Sequence, residues 1–451
     1  MYYWREVIYE DLPYDDNYMI GKYPYHIPAN NDILALGYHA QSELMLATVG
    51  RIRPGVPSTL NAFCVSDYEK GTSPHIWGFP DYERNTLKTS FYGDRDDARL
   101  LRRKNKYSAG YFNHFYSNYA TPQNSKEDFS LIEIYGPLVD NRCNRLFVID
   151  VGIIRYGATE VYQPQNPALI VFELPPHGCE TRKFPVIRRV ELPQHVWKNP
   201  LGYMFNTLDY KPKGTCDDVF MYSNSLFDNN LLVYDYKNNE FWAFDHPSMR
   251  PITVESNLFL APDYQWQLPM GIVNVALGWP DKKGNRNAYY FPGASTGEYV
   301  VSTKVLKDRK RAPINYHPED FSLIAYRGCE SQAIKQVFDE ETGVMFFGEM
   351  QSKRVRCWNT QLPLNPDTIG TVFESDIIPF IADLFIDPYG YLWFHSNRLP
   401  LMFTRYKNYE VEEMYYWRDV HYEGLPLDGK LRSPEHELGL HFARAKAAFP
   451  F

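Results

Sequence analysis

The residues whose type and position could do chemistry are acids, and one histidine, at the ends of apolar runs. His395 lies in Leu392-Trp-Phe-His-Ser-Asn397. Asp150 closes Leu146-Phe-Val-Ile-Asp150, Asp383 and Asp387 flank Leu384-Phe-Ile386, and Glu349 ends Val344-Met-Phe-Phe-Gly-Glu349. A histidine at such a point can serve as a general acid or base, although a packed, hydrogen-bonded imidazole is the commoner role. An Asp at a strand end ordinarily accepts from turn amides. Gathered round one axis and backed by aromatic rings, the same acids would suit an organic ammonium through charge pairing and cation–π contact. His246, directly after Asp245, reads as a turn cap.

Several chemistries are missing. The sequence has no G-x-S-x-G, no H-E-x-x-H, no phosphate-binding P-loop, no dinucleotide-binding glycine fingerprint and no EF-hand loop. It therefore implies no cofactor and no metal. Enzymes whose sites are assembled from distant elements are not excluded by this. The net charge of −8 argues against a nucleic-acid partner, and the one basic cluster, Lys304 to Arg311, reads as a solvated loop. No apolar run approaches the roughly 18 residues that would suggest a membrane-spanning helix.

The six cysteines, Cys64, Cys143, Cys179, Cys216, Cys329 and Cys357, are dispersed, without C-x-x-C or metal spacing. They fit either structural disulfides in a secreted chain or buried free thiols in a cytosolic one. The first residues, Met1-Tyr-Tyr-Trp-Arg-Glu-Val, have no basic segment followed by an apolar stretch, so they do not read as a secretory leader. If the protein is secreted, the expectation is that the leader is absent from the chain as given.

The elements that must position the candidates are strands. Aromatic residues make up 16% of the 451 residues, with 36 Tyr and 28 Phe. With 33 Pro and 27 Gly, this favours many short strands and tight turns. Strand-like runs fall into six groups, within 33–66, 131–174, 203–245, 271–306, 333–359 and 380–406. Asp339-Glu-Glu-Thr-Gly343, Asp387-Pro-Tyr-Gly390 and Asp281-Lys-Lys-Gly284 supply turn chemistry inside them. Groups of three or four short strands recurring every ~60–70 residues suggest propeller blades. The expectation is an all-β, six-bladed β-propeller with a long insertion, Asp67 to Lys126, between the first two blades.

The beginning of the chain recurs near its end. Residues 1–15, MYYWREVIYEDLPYD, match residues 414–428, MYYWRDVHYEGLPLD, at eleven of fifteen positions, 413 residues on. Residues 1–413 then read as the propeller, and 414–451 as a tail opening a second tandem unit in a longer protein. The alternative makes the two segments equivalent edge strands. In a ring, Trp4–Tyr9 would close the last blade, with the copy at Trp417–Tyr422 as competitor.

A series of motifs runs in order through the chain. It includes Val49-Gly-Arg-Ile-Arg-Pro-Gly-Val-Pro-Ser-Thr-Leu60, Asn141-Arg-Cys-Asn-Arg-Leu-Phe-Val-Ile-Asp-Val-Gly152 and Cys216-Asp-Asp-Val-Phe-Met-Tyr-Ser223. It continues with Gly271-Ile-Val-Asn-Val-Ala-Leu-Gly278, Val355-Arg-Cys-Trp-Asn359 and Leu392-Trp-Phe-His-Ser-Asn-Arg-Leu-Pro400. Over residues 4–410 this series resembles the yellow/major royal jelly protein family, with Gly50 where the family usually has Pro. The resemblance implies a secreted six-bladed propeller and a disulfide between Cys143 and Cys216. The family's other common bridge joins the cysteine at Cys357 to a later one that this chain lacks. Cys329 is the substitute partner, which leaves Cys64 with Cys179.

Family members differ in function. Some bind biogenic amines in the channel, some are linked to melanin as dopachrome-converting enzymes, and others are nutritive or structural. The amine contacts of the first branch fall on Ala382 beside Asp383, on Asn397 and on Leu399, where only the Asn matches the family. The leading expectation is a secreted protein binding a small aromatic amine or catechol-derived ligand near Asn397, Asp383, Ala382, Leu399, Glu349 and Phe347. The alternatives are a dopachrome tautomerase with His395 or a channel carboxylate as base, and a ligand-free cuticular protein.

Overall fold

The computed structural model describes residues 2–397 except 3, 5, 16, 70–71, 89–128, 157–159, 253–258, 262–263, 267–268 and 376–379, together with residue 399 and residues 418–422. Short apolar runs pair antiparallel with their neighbours in sequence. Five four-stranded sheets result. The first is built from Ile33–His39, Leu44–Val49, Leu60–Cys64 and Trp77–Gly78. The others begin with Leu138–Asp140, Tyr203–Tyr210, Ile272–Pro280 and Ala333–Asp339. A three-stranded sheet of Ile381–Ile386, Leu392–Ser396 and Arg418–Tyr422 follows. The first strand of each sheet touches the first strand of the next, and Ile381–Ile386 returns to Ile33–His39. The fold is thus an all-β propeller whose inner strands ring a common axis. Closing the ring removes exposed long edges.

The expected six blades are not all present: the described residues form five four-stranded blades, and the sixth group supplies only the three-stranded sheet. The last run expected in that group, Leu401–Tyr406, lies outside the described residues, and Trp4–Tyr9 does not enter the sheet. Tyr9 instead pairs in parallel with Ile76, whose N–H donates to Ile8 O at 2.9 Å. Trp4 is fully buried, stacks edge-on against Phe63 and donates from Nε1 to Pro74 O at 2.6 Å. With Trp393 in the same apolar cluster, Trp4 fills the seam between the first blade and the three-stranded sheet. The copy at the far end takes the strand position, with Trp393 opposite His421 and Phe394 opposite Val420.

The expected insertion also changes. Its first part, up to Leu87, contains Trp77–Gly78, the fourth strand of the first blade, and a short helix, Tyr82–Asn85. Residues 89–128 lie outside the described residues.

Cys143–Cys216 and Cys64–Cys179 form disulfides. The expected Cys329–Cys357 bridge does not form, and both thiols are free. Cys357 packs among Phe346, Val372 and Phe373 inside its blade, where burial pushes its thiol up to about 11, whereas Cys329 lies on an exposed loop. The Asp turns behave as read: Asp339 accepts from Glu341 N and Thr342 Oγ1, and Gly343 turns the chain at φ +75°.

Candidate functional site

The inner strands all run the same way along the axis, so the channel has an end where they begin and an end where they finish. The expected site residues sit at or near the beginning. Phe347, Ala382 and Leu399 meet there in one apolar cluster with Leu34, Phe291 and Phe380. Their polar neighbours are engaged within the protein. His395, 1% exposed, bonds through Nε2 to Ile33 O at 2.9 Å. A carbonyl only accepts, so Nε2 carries the proton and is not available as a base. Asn397 donates to the same carbonyl at 2.9 Å and accepts from Leu399 N at 2.9 Å. Both side chains therefore latch the three-stranded sheet to the first blade. Glu349 accepts from Ser352 Oγ and lies 3.3 Å from Arg354 Nε.

Asp150 and Asp387 perform the turn role expected of such acids. Asp150 accepts from the amides of Ile132, Glu133 and Gly152 at 2.8–3.0 Å and from Gln165 Nε2 at 2.9 Å. Burial nevertheless holds its pKa above the ordinary carboxylate value. Asp387 accepts from Tyr389 N, Tyr391 N and Trp393 Nε1, each at 2.9 Å.

Sequence reasoning missed a buried pair at this same end. Arg51 is 1% exposed, and its guanidinium donates to the carbonyls of Val56, Pro57, Asn85, Leu131 and Ile132. It thereby ties together both flanks of the segment 89–128. Glu133 receives the Arg51 backbone N–H at 2.7 Å, and burial pushes its carboxyl up to about 8. Gly50 makes this fit: a Cβ there would lie 2.5 Å from Leu34 Cδ1 and 3.3 Å from Glu133 Oε1.

Toward the finishing end the channel opens into a cavity of about 290 Å³. Every inner strand contributes to it, among them Leu36, Val139, Phe205, Val275, Lys335 and Phe385. Asp383 reaches this region from behind the lining. Its Oδ1 is 2.5 Å from Lys335 Nζ, and its Oδ2 accepts from Leu36 N at 2.9 Å. Lys335 Nζ also lies 4.6 Å from the centroid of Phe205. Arg286 on the wall pairs with Glu340 at 2.6 Å. Asn206 Oδ1 is buried with no hydrogen-bond partner. The cavity thus combines aromatic faces, an ammonium and amide groups, an arrangement suited to holding a small polar aromatic molecule.

The structure therefore unites Phe347, Ala382 and Leu399, brings Asn397 and His395 onto one carbonyl, and directs Asp383 to a lysine. Lys335, Phe205, Asn206 and Arg286 were not singled out from sequence. The available signal was Lys335 itself, a lysine within the run Ala333-Ile-Lys-Gln-Val-Phe338 at the start of a blade. Such a position calls for a buried counter-charge.

A profile of the family described as Major royal jelly protein matches residues 135–423. A yellow-related salivary protein, SP03, of Phlebotomus perniciosus is 37% identical over 272 residues, 60% of this chain and 66% of that protein. This chain thus spans just under two thirds of that relative's length. A second, ASP2 of Phlebotomus orientalis, is 31% identical over 401 residues, 88% of this chain and 85% of its own. The Drosophila melanogaster protein named L-dopachrome tautomerase yellow-f is 28% identical over 378 residues, 83% and 76% of the two chains. Among the described residues, no helix is long and apolar enough to cross a membrane.

Proposed function

The chain belongs to the major royal jelly protein family, and on that premise we propose that it acts outside the cell, binding a small aromatic molecule in the propeller channel. The ligand class is that of catechols and indoles, with biogenic amines among the candidates. One observation carries the reading: the cavity of about 290 Å³ is lined by every inner strand and sets Phe205 and Phe385 beside the polar Asn206 and Lys335. Phe347, Ala382 and Leu399 are buried in one apolar cluster toward the other end of the channel. Two disulfides and the salivary relatives support an extracellular setting.

The test is calorimetric titration of the purified chain with serotonin, dopamine, octopamine and 4-methylcatechol, paired with a dopachrome decay assay on the same sample. Saturable heat with unchanged dopachrome decay is the expected result. The relative named as a dopachrome tautomerase favours a second reading, an enzyme of that type. Accelerated decay, lost in His395→Gln, would support it. Gln keeps a donor for Ile33 O, so the loss would not merely report a broken latch. Silence in both assays overturns ligand binding and leaves a structural role.

A further inference from the structure

An ammonium ligand in an aromatic channel is recognised by a carboxylate on one side and a ring face on another. Both elements are present here, and a side chain of the protein already stands between them. Lys335 Nζ lies 2.5 Å from Asp383 Oδ1 and 4.6 Å from the Phe205 centroid. Asp383 is 1% exposed, and its second oxygen is taken by Leu36 N. The one acid on the cavity wall, Glu340, is paired with Arg286.

A free ammonium would either displace Lys335 from its carboxylate or sit beside a like charge. The first leaves the Lys335 ammonium, whose side chain is 12% exposed, without its partner, and the second is repulsive. A hydroxyl or a carboxylate meets neither obstacle. It can accept from the remaining N–H groups of Lys335, and a ligand O–H can donate to Asn206 Oδ1, which has no partner.

We propose that Lys335 occupies the ammonium position of the channel, so that the cavity takes uncharged or acidic hydroxylated aromatic molecules and rejects their amine analogues. This rests on the ligand-binding reading above and narrows its ligand class.

The experiment compares 4-methylcatechol, 3,4-dihydroxyphenylacetate and dopamine, which share a ring and differ in charge, by titration calorimetry on the whole chain. Wild type should bind the first two at least about tenfold more tightly than dopamine. Lys335→Met, which leaves Asp383 facing the cavity, should gain dopamine affinity by about tenfold or more. The double variant Lys335→Met with Asp383→Asn carries neither charge and should bind all three about equally. It also keeps the test decisive if the single variant does not fold. Equal binding of dopamine and 4-methylcatechol by wild type overturns the proposal. So does an unchanged order of affinities in the variants that fold. Either result leaves channel binding standing. Absence of binding by wild type and variants alike removes the ligand-binding reading and this inference with it.

Discussion

The two ends of the channel are built from the same inner strands, yet they differ in how completely their polar groups are used. Where the strands begin, His395 and Asn397 both bond Ile33 O, Asp150 holds three backbone amides, and Glu349 holds Ser352 and Arg354. Beside them Phe347, Ala382 and Leu399 are packed in an apolar cluster. Toward the finishing end, Lys335 and Asn206 face a cavity, and Asn206 has an oxygen without a partner. Polar residues at the first end hold the ring closed; at the second, Lys335 and Arg286 are ion-paired as well, but Asn206 Oδ1 is left with no partner in the protein. A polar residue at a strand end is thus a poor indicator of a ligand contact until its partner is known.

The largest effect should come from the group between the two ends. Asp383→Ala leaves Lys335 buried without its counter-charge and Leu36 N without its acceptor. It should lower stability by about 3–5 kcal/mol in urea unfolding. A loss under about 1 kcal/mol would mean that Lys335 escapes to solvent and that the pair does not divide the channel.

The next test concerns pH and the first end alone. Burial raises the Glu133 carboxyl to about 8 in the folded chain, against an ordinary value of 4.5. The folded state then holds a proton that the unfolded state gives up across this window. Its contribution to stability is full below about 4.5 and is lost as pH rises toward 8. In Glu133→Gln that loss should vanish, so the melting temperature of wild type should fall relative to the variant between these two pH values. Parallel profiles for the two proteins would contradict the assignment. The third effect is smaller. Asn397→Ala should cost about 1–3 kcal/mol, because Leu399 N loses its acceptor while Ile33 O keeps His395. Ligand affinity should stay within about twofold, far less than the tenfold that 1.4 kcal/mol of lost contact would bring. The opposite pattern, weak binding with stability intact, would make Asn397 a ligand contact and erase the contrast between the ends.

Much of the fold was legible because strand formation is local. Apolar runs and Asp-Gly turns such as Asp339–Gly343 need only their own neighbourhood, and they mark out the sheets. Closure was not legible, because it depends on which edge a segment meets. The repeated sequence makes the point: Trp4–Tyr9 lies in a seam against Phe63 and Pro74, while its copy extends a regular ladder on Leu392–Ser396. Near-identical local sequence takes two placements, so propensity alone does not decide. The site shows the same limit. His395, Asp383 and Asn397 were recognisable as unusual, but their partners, Ile33, Lys335 and Leu36, belong to other sheets up to 364 residues away. The lysine that neutralises Asp383 carries no motif, and neither does Arg51, which is held by five backbone carbonyls.

The smallest effect is also the one that separates the ends most directly by their aromatic rings. Phe205 and Phe347 belong to the same apolar cluster, but Phe205 also lies beneath the Lys335 ammonium and lines the cavity, whereas Phe347 is not on the cavity wall. Both are at least 97% buried, so exchange for Leu removes similar apolar area at either position. Each ring also faces a cation, Phe205 the Lys335 ammonium at 4.6 Å and Phe347 the Arg327 guanidinium at 5.6 Å, so either exchange also loses a term of about 0.5–2 kcal/mol. The two variants should therefore lose similar stability, and the contrast between them lies in the ligand. Phe205→Leu should weaken 4-methylcatechol binding, because the ligand loses a ring to stack on, while Phe347→Leu should leave that affinity nearly unchanged. Equal losses of affinity in the two variants would mean that the ligand spans the channel, with the apolar end as much a part of the site as the polar one. Weakening in Phe347→Leu alone would move the ligand to the end where Ala382 and Leu399 meet, and the polar cavity would then be a solvent-filled vestibule behind it.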